Sequence, residues 1–331
     1  MLEHGGRLLR AAREYGIAPS DWLDLSTGIS PFAWPVPSIP ASAWKRLPED
    51  DDGLVDVARA YYGAPQLLPV AGSQAAIQAL PRLRQVSRVG VIAPGYNEHA
   101  HAWRQAGHRV ISLPAEALLA QTDDLDVIVL INPNNPGGER FERETLLKLH
   151  ARLAQRGGWL IVDEAFMDAT PTQSLCPETD REGLVVLRSV GKFFGLAGAR
   201  AGFACASTGL LDALREHLGP WTLSGPTRHI LREALGDREW HEAARERLQS
   251  CSARLAELLA KHGIAPTAGC AFFHWWRDER AQAMHRALAM RGILTRLFDT
   301  PSSLRFGLPG NDDAFERLEF ALRDIAAGNT R

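Results

Sequence analysis

The chain has 331 residues, 45% of them hydrophobic and 23% charged, which is long enough and apolar enough for one large core and a smaller one. Its 37 lysines and arginines against 39 aspartates and glutamates leave a formal charge of -2, so there is no global basic field to hold nucleic acid or an anionic membrane. An anionic ligand must therefore be met by a local group of arginines.

The first stretch carries Glu3, His4, Arg7, Arg10, Arg13 and Glu14, which leaves no apolar signal-peptide core, and no later apolar run approaches membrane-spanning length. The expectation is a cytoplasmic protein. After His4-Gly5-Gly6, the residues Leu8, Leu9, Ala12 and Tyr15 recur on one side of a short amphipathic helix. Residues 23 to 32, followed by Pro35, Pro37 and Pro40, cannot continue a helix and read as an extended arm. Periodicity predicts a helix over 54 to 63, stopped by a glycine. Val70-Ala71-Gly72-Ser73-Gln74 then turns from a strand into a helix that ends near Pro81. Such a turn offers backbone N–H groups to a phosphate, or uses Ser73 simply as an N-cap.

Residues 89 to 93 form a buried type of strand ended by Pro94-Gly95-Tyr96, where an aromatic residue is commonly the edge of a core. His99 and His101 fall on the next helix. No carboxylate or cysteine cluster accompanies them, so they are assigned no metal and no chemistry. The strand over 126 to 131 runs into Asn132-Pro133-Asn134-Asn135-Pro136-Gly137-Gly138, a tight turn whose amides can donate to an anionic oxygen. A helix over 139 to 155 leads to a strand ending in Asp163. A carboxylate at that end of an apolar strand lies where α/β proteins form ligand sites.

Residues 184 to 187 are a further strand, and 200 to 206 another, with Ser189-Val190-Gly191-Lys192 on a glycine-rich loop between them. Ser189 and Arg200 can bring a hydroxyl and a guanidinium to one anion, leaving the Lys192 amine for a carbonyl. That combination suits an aldehyde cofactor carrying a phosphate, namely pyridoxal phosphate. Beyond it the pattern turns mostly helical, over 210 to 218, 228 to 235 and 237 to 261. A strand over 269 to 276, a helix through Met290, short strands over 293 to 295 and 303 to 307, and a terminal helix from Asp312 complete an α+β region. Trp275 and Trp276 read as core or interface, and the lone Arg305 on its strand as a snorkelling charge. Cys176, Cys205, Cys251 and Cys270 are widely spaced without Cys-x-x-Cys, which argues for reduced structural thiols.

The Ser189-x-x-Lys192 spacing, Phe194-Gly195-Leu196-Ala197-Gly198 and Arg200 together resemble the fold-type I pyridoxal-phosphate enzymes of the aminotransferase class I and II superfamily. Within it the whole chain looks most like the threonine-phosphate decarboxylases of cobalamin biosynthesis, with the histidinol-phosphate aminotransferases as nearest relatives. The resemblance implies a large α/β domain with a mostly parallel seven-stranded sheet flanked by helices, over 41 to 218. It also implies a small α+β domain over 219 to 331 and an arm over 1 to 40 at the active-site mouth.

For the cofactor, the resemblance implies that Lys192 carries it and that Asp163 pairs with its ring nitrogen. Asn135 would hold its phenolic oxygen and Tyr96 stack on its ring, while Gly72, Ser73, Gln74, Ser189 and Arg200 surround its phosphate. For a small phosphorylated amino acid, Arg305 would face the carboxylate, with His4 and Ser30 near the phosphate and Asn135 also among the substrate-binding residues. The implied reaction is decarboxylation of L-threonine O-3-phosphate, with transamination of histidinol phosphate as the alternative, in a cytoplasmic homodimer. Three positions depart from the relatives: Leu47 replaces a dimer-crossing tyrosine, Gly137 a threonine, and Phe166 a tyrosine.

Overall fold

The computed structural model describes residues Glu3–Gly328. Its thirteen described strands are, in chain order, β1 (Leu23–Asp24), β2 (Leu67–Val70), β3 (Arg88–Ile92), β4 (Arg109–Leu113), β5 (Val127–Ile131), β6 (Trp159–Asp163) and β7 (Leu184–Ser189). They continue as β8 (Gly202–Cys205), β9 (Ala268–Cys270), β10 (Phe273–Arg277), β11 (Ile293–Leu294), β12 (Arg296–Asp299) and β13 (Ser302–Gly307). The chain divides into a large unit, Ala33–Asn135 with Glu139–His241, and a small unit made of the residues up to Phe32, Pro136–Gly138 and those from Glu242 onward. The helices Thr208–Leu218 and Gly225–Gly236 both belong to the large unit.

In the large unit, seven strands are ordered β2-β8-β7-β6-β5-β3-β4. β8 runs antiparallel to β2 and β7, and the other pairings are parallel, so the sheet is mostly parallel, as the resemblance implies. A parallel sheet needs both faces covered, which is why β5 reads as an unbroken apolar run and is buried at every residue. β4, by contrast, is an edge strand with a half-exposed pattern and no apolar run to announce it. Lys192 lies in a helical turn, Val190–Phe193, directly after β7, rather than in the loop expected.

Just behind that turn is a charge network that no sequence signal singled out. Arg188, 1% exposed, donates from Nη1 to Glu164 Oε2 at 2.7 Å and pairs through Nη2 with Asp168 at 2.9 Å. Its guanidinium also lies over the Tyr62 ring, 4.7 Å from the centroid. Glu164 in turn accepts from the Leu175 N–H at 2.7 Å. Removing one partner of a buried pair strands the other, so Arg188→Leu should lower stability by about 3–5 kcal/mol. Urea unfolding reads this directly, and an unchanged midpoint would show that the network contributes nothing.

The small unit contains an antiparallel sheet ordered β12-β13-β10-β9 and a parallel pair, β1 with β11. The stretch over 269 to 276, expected as one strand, is two: β9 and β10 pair as a hairpin. Trp275 and Trp276 are both buried. The helix Leu8–Tyr15 packs Ala11 and Ala12 against Trp22, Ala289 and Leu294, while Leu9, expected on the apolar side, is 63% exposed. No described helix is long and apolar enough to cross a membrane.

Candidate active site

In the large unit, the chemistry-bearing residues collect at or just beyond the ends of strands. Asp163 ends β6 and Ser189 ends β7, while Asn132–Asn135 follows β5 and Tyr96 follows β3. Asp163 is 3% exposed, with Oδ2 2.9 Å from His99 Nε2 and Oδ1 accepting from the Ala165 N–H at 3.0 Å. His99 lies on the helix Glu98–Gln105 and is itself buried. The sequence reading gave this histidine no role; its only signal was a position three residues after Tyr96. The aspartate is thus fixed from both oxygens, one by backbone and one by imidazole.

Lys192 is partly buried, with Nζ 5.7 Å from the centre of the Phe166 ring. Tyr96 donates from its hydroxyl to Gln74 Oε1 at 3.2 Å, and Gln74 Nε2 donates to Glu98 Oε2 at 3.0 Å. Burial, reinforced by Glu98 and Asp163, pushes the Tyr96 phenol up to about 12. Its hydroxyl therefore stays a proton donor, and its ring meets His99 edge-on with centroids 6.1 Å apart. In the asparagine turn, Asn132 bonds to Phe141, accepting its N–H and donating to its carbonyl, both at 3.1 Å. Asn134 donates to Pro94 O at 2.9 Å and to Glu139 Oε2 at 2.8 Å. Those two asparagines build the turn that presents Asn135.

The expected phosphate cradle is shaped by missing side chains. Gly72 has φ 71°, and a Cβ there would lie 3.0 Å from Arg200 Nη2. A Cβ on Gly202 would meet Arg188 O at 2.5 Å and the Ser73 N at 2.7 Å. Only glycine allows strand and turn to close this far. Arg200 itself adopts a left-handed φ of 50°. An amine, a carboxylate held by an imidazole, and a glycine-walled cradle beside a guanidinium form the donor set that pyridoxal phosphate requires, so the residues fit that group. Among the described residues no group of three or more histidines, cysteines or carboxylates could hold a metal ion.

The remaining candidates lie in the small unit. Arg305, on β13, is 6% exposed; its Nη2 donates to Ser26 O at 2.9 Å, and its guanidinium lies 4.9 Å from the Phe273 ring centre. Burial pushes this guanidinium down to about 10, and the neighbouring Arg296 adds to the effect, a setting that an arriving carboxylate relieves. Arg296 sits directly across from Arg305 on β12. The sequence reading missed it because it missed the strand. Ser30 is 3% exposed and its hydroxyl is engaged in its own turn, accepting from the Phe32 N–H at 3.2 Å. His4 is partly buried and precedes the Gly5-Gly6 turn.

Against known proteins, the family model described as aminotransferase class I and II matches residues 56–318. The chain belongs to the aminotransferase class I and II family. Along 97% of its length it is 58% identical to the threonine-phosphate decarboxylase of Pseudomonas aeruginosa, of which it covers 97%. It is also 39% identical to the threonine-phosphate decarboxylase of a Sinorhizobium species, covering 96% of this chain and 97% of that one. Among solved structures, the histidinol-phosphate aminotransferase from Sinorhizobium meliloti in complex with pyridoxal-5'-phosphate matches with a TM-score of 0.85 over 99% of this chain and 96% of its own. At 20% identity that likeness shows a shared fold.

Proposed function

We propose that this chain is a pyridoxal-phosphate-dependent decarboxylase that converts L-threonine O-3-phosphate to (R)-1-amino-2-propanol O-2-phosphate and carbon dioxide, within cobalamin biosynthesis. The observation that carries the reading is identity of 58% to a threonine-phosphate decarboxylase with both chains covered almost completely. When bound, the cofactor supplies an electron sink for the pair left behind by the departing carboxylate. Lys192 would hold it, Asp163, backed by His99, would pair with its ring nitrogen, and Asn135 would bond its phenolic oxygen. Gly72, Ser73, Gln74, Ser189 and Arg200 would hold its phosphate, and Tyr96 would pack on its ring.

On the substrate side, the Arg305 guanidinium forms a two-point pair with the α-carboxylate, and His4 takes the phosphate. Gripping both anionic ends fixes rotation about the α-carbon, so that binding energy from the remote phosphate orients the bond to be broken. After carbon dioxide leaves, Lys192 Nζ is the group that returns a proton to the α-carbon.

A cytoplasmic setting is in keeping with four buried cysteines that form no disulfide. A homodimer is supported by large apolar side chains left in the open on the large unit, Trp44 at 68%, Leu47 at 66% and Trp221 at 58% exposure.

The decisive assay supplies the purified holoenzyme with L-threonine O-3-phosphate and, separately, with histidinol phosphate and 2-oxoglutarate. Carbon dioxide should be released from the first and no glutamate formed in the second; the opposite outcome would overturn the reading. Threonine without its phosphate should lose kcat as well as affinity. Arg305→Ala should raise KM and let abortive transamination increase relative to carbon dioxide release.

A further inference from the structure

The backbone on either side of His4 is tied, directly or through Ser26, to two arginines of the small-unit sheet, Arg296 and Arg305. Before His4, the Glu3 carbonyl accepts from Arg296 Nη2 at 2.6 Å. After it, Gly5 and Gly6 lie on Ser26: a Cβ on Gly5 would be 2.2 Å from Ser26 O and 3.0 Å from Ser26 C, and the Gly6 N–H donates to Ser26 Oγ at 2.7 Å. The same Ser26 carbonyl accepts from Arg305 Nη2 at 2.9 Å. Ser26 is itself fixed, with its N–H and its hydroxyl both donating to Asp24 Oδ1, at 2.9 and 2.6 Å. Arg296 and Arg305 are cross-strand neighbours on β12 and β13, so the loop closes on one rigid sheet edge.

We propose that Gly5 and Ser26 are specificity-determining positioning residues that set a fixed span between His4 and Arg305, and so select substrates whose phosphate and carboxylate are separated by that span. The proposal rests on the functional reading above, in which those two side chains receive the two anionic groups. Its physical content is steric. Ser26 O serves at once as the acceptor that orients the Arg305 guanidinium and as the surface on which the turn after His4 rests. No side chain at position 5 fits without separating them. A ligand carrying both anions gains from the preset span, whereas a ligand carrying one anion can follow either anchor wherever it goes.

The test uses ligands that lack the amino group and therefore cannot turn over. 3-Phosphonooxybutanoate carries both anions at the substrate's spacing, isopropyl phosphate carries the phosphate alone, and butanoate the carboxylate alone. Calorimetric titration into the holoenzyme should show Gly5→Ala weakening 3-phosphonooxybutanoate about tenfold while each single-anion ligand changes by less than about twofold. Ser26→Ala, which keeps the carbonyl and adds no atom, should show the same pattern at about threefold, and it decides the matter if Gly5→Ala does not fold. Equal losses for all three ligands, or an undiminished grip on the double anion in both variants, would overturn the span. Carbon dioxide release from L-threonine O-3-phosphate by the unmodified enzyme tests the underlying reading separately.

Discussion

Lys192→Ala should reduce turnover by about four orders of magnitude or more, to background, and should remove the pyridoxyl label that borohydride otherwise fixes to the protein. The chain has four lysines, and Lys45, Lys148 and Lys261 are all exposed. Two of those are already in surface ion pairs, Lys148 with Glu144 and Lys261 with Glu319, each at 2.7 Å. Lys192 alone is partly buried, in a helical turn that starts where β7 ends. The neutral amine of a lysine is the form that attacks a carbonyl. Peptide mapping of the reduced holoenzyme should place the label at Lys192 only, and a label on any other lysine would refute the assignment.

The second large effect belongs to Asp163. Asp163→Ala should cost about 10²–10³-fold in kcat or more, as expected when a preorganised charge is removed from a buried site. The cofactor should still bind through its phosphate, so the visible spectrum of the variant would persist while catalysis fails. His99→Ala should cost less, roughly 10–100-fold, the size seen when the partner that orients a functional group is removed. The reason is geometric: Asp163 keeps its Ala165 N–H bond at 3.0 Å but loses the imidazole at 2.9 Å. Near-normal rates for Asp163→Ala would exclude the role.

How far the sequence could be read depended on whether a residue's partner was local. Asp163, Asn135 and Lys192 stand at the ends of apolar strands, where a polar residue interrupts a hydrophobic run and is visible in one dimension. The buried parallel strands were legible for the same reason, since β5 to β7 are apolar from end to end or nearly so. His99 was not legible, because its meaning lies in a carboxylate on another strand. Strand β12 and its Arg296 were hidden by half-exposed, mixed composition, as β4 was. The unit boundary at 241/242 falls inside the helix Arg238–Lys261, whose periodicity runs through it without a break. Leu9 shows the converse error, an apolar residue in helical register that faces water.

The small unit joins the first part of the chain to the last: β1 pairs with β11, and the Gly307 N–H bonds to Leu25 O at 2.7 Å. On the ribosome this sets an order of events. All seven strands of the large sheet have been made before Glu242 is added. The residues from Glu242 onward then take roughly 5–20 s to translate. Throughout that interval the segment bearing His4, Ser26 and Ser30 has emerged before the strands it will join, so nascent-chain chaperones meet it early and its final register is decided last.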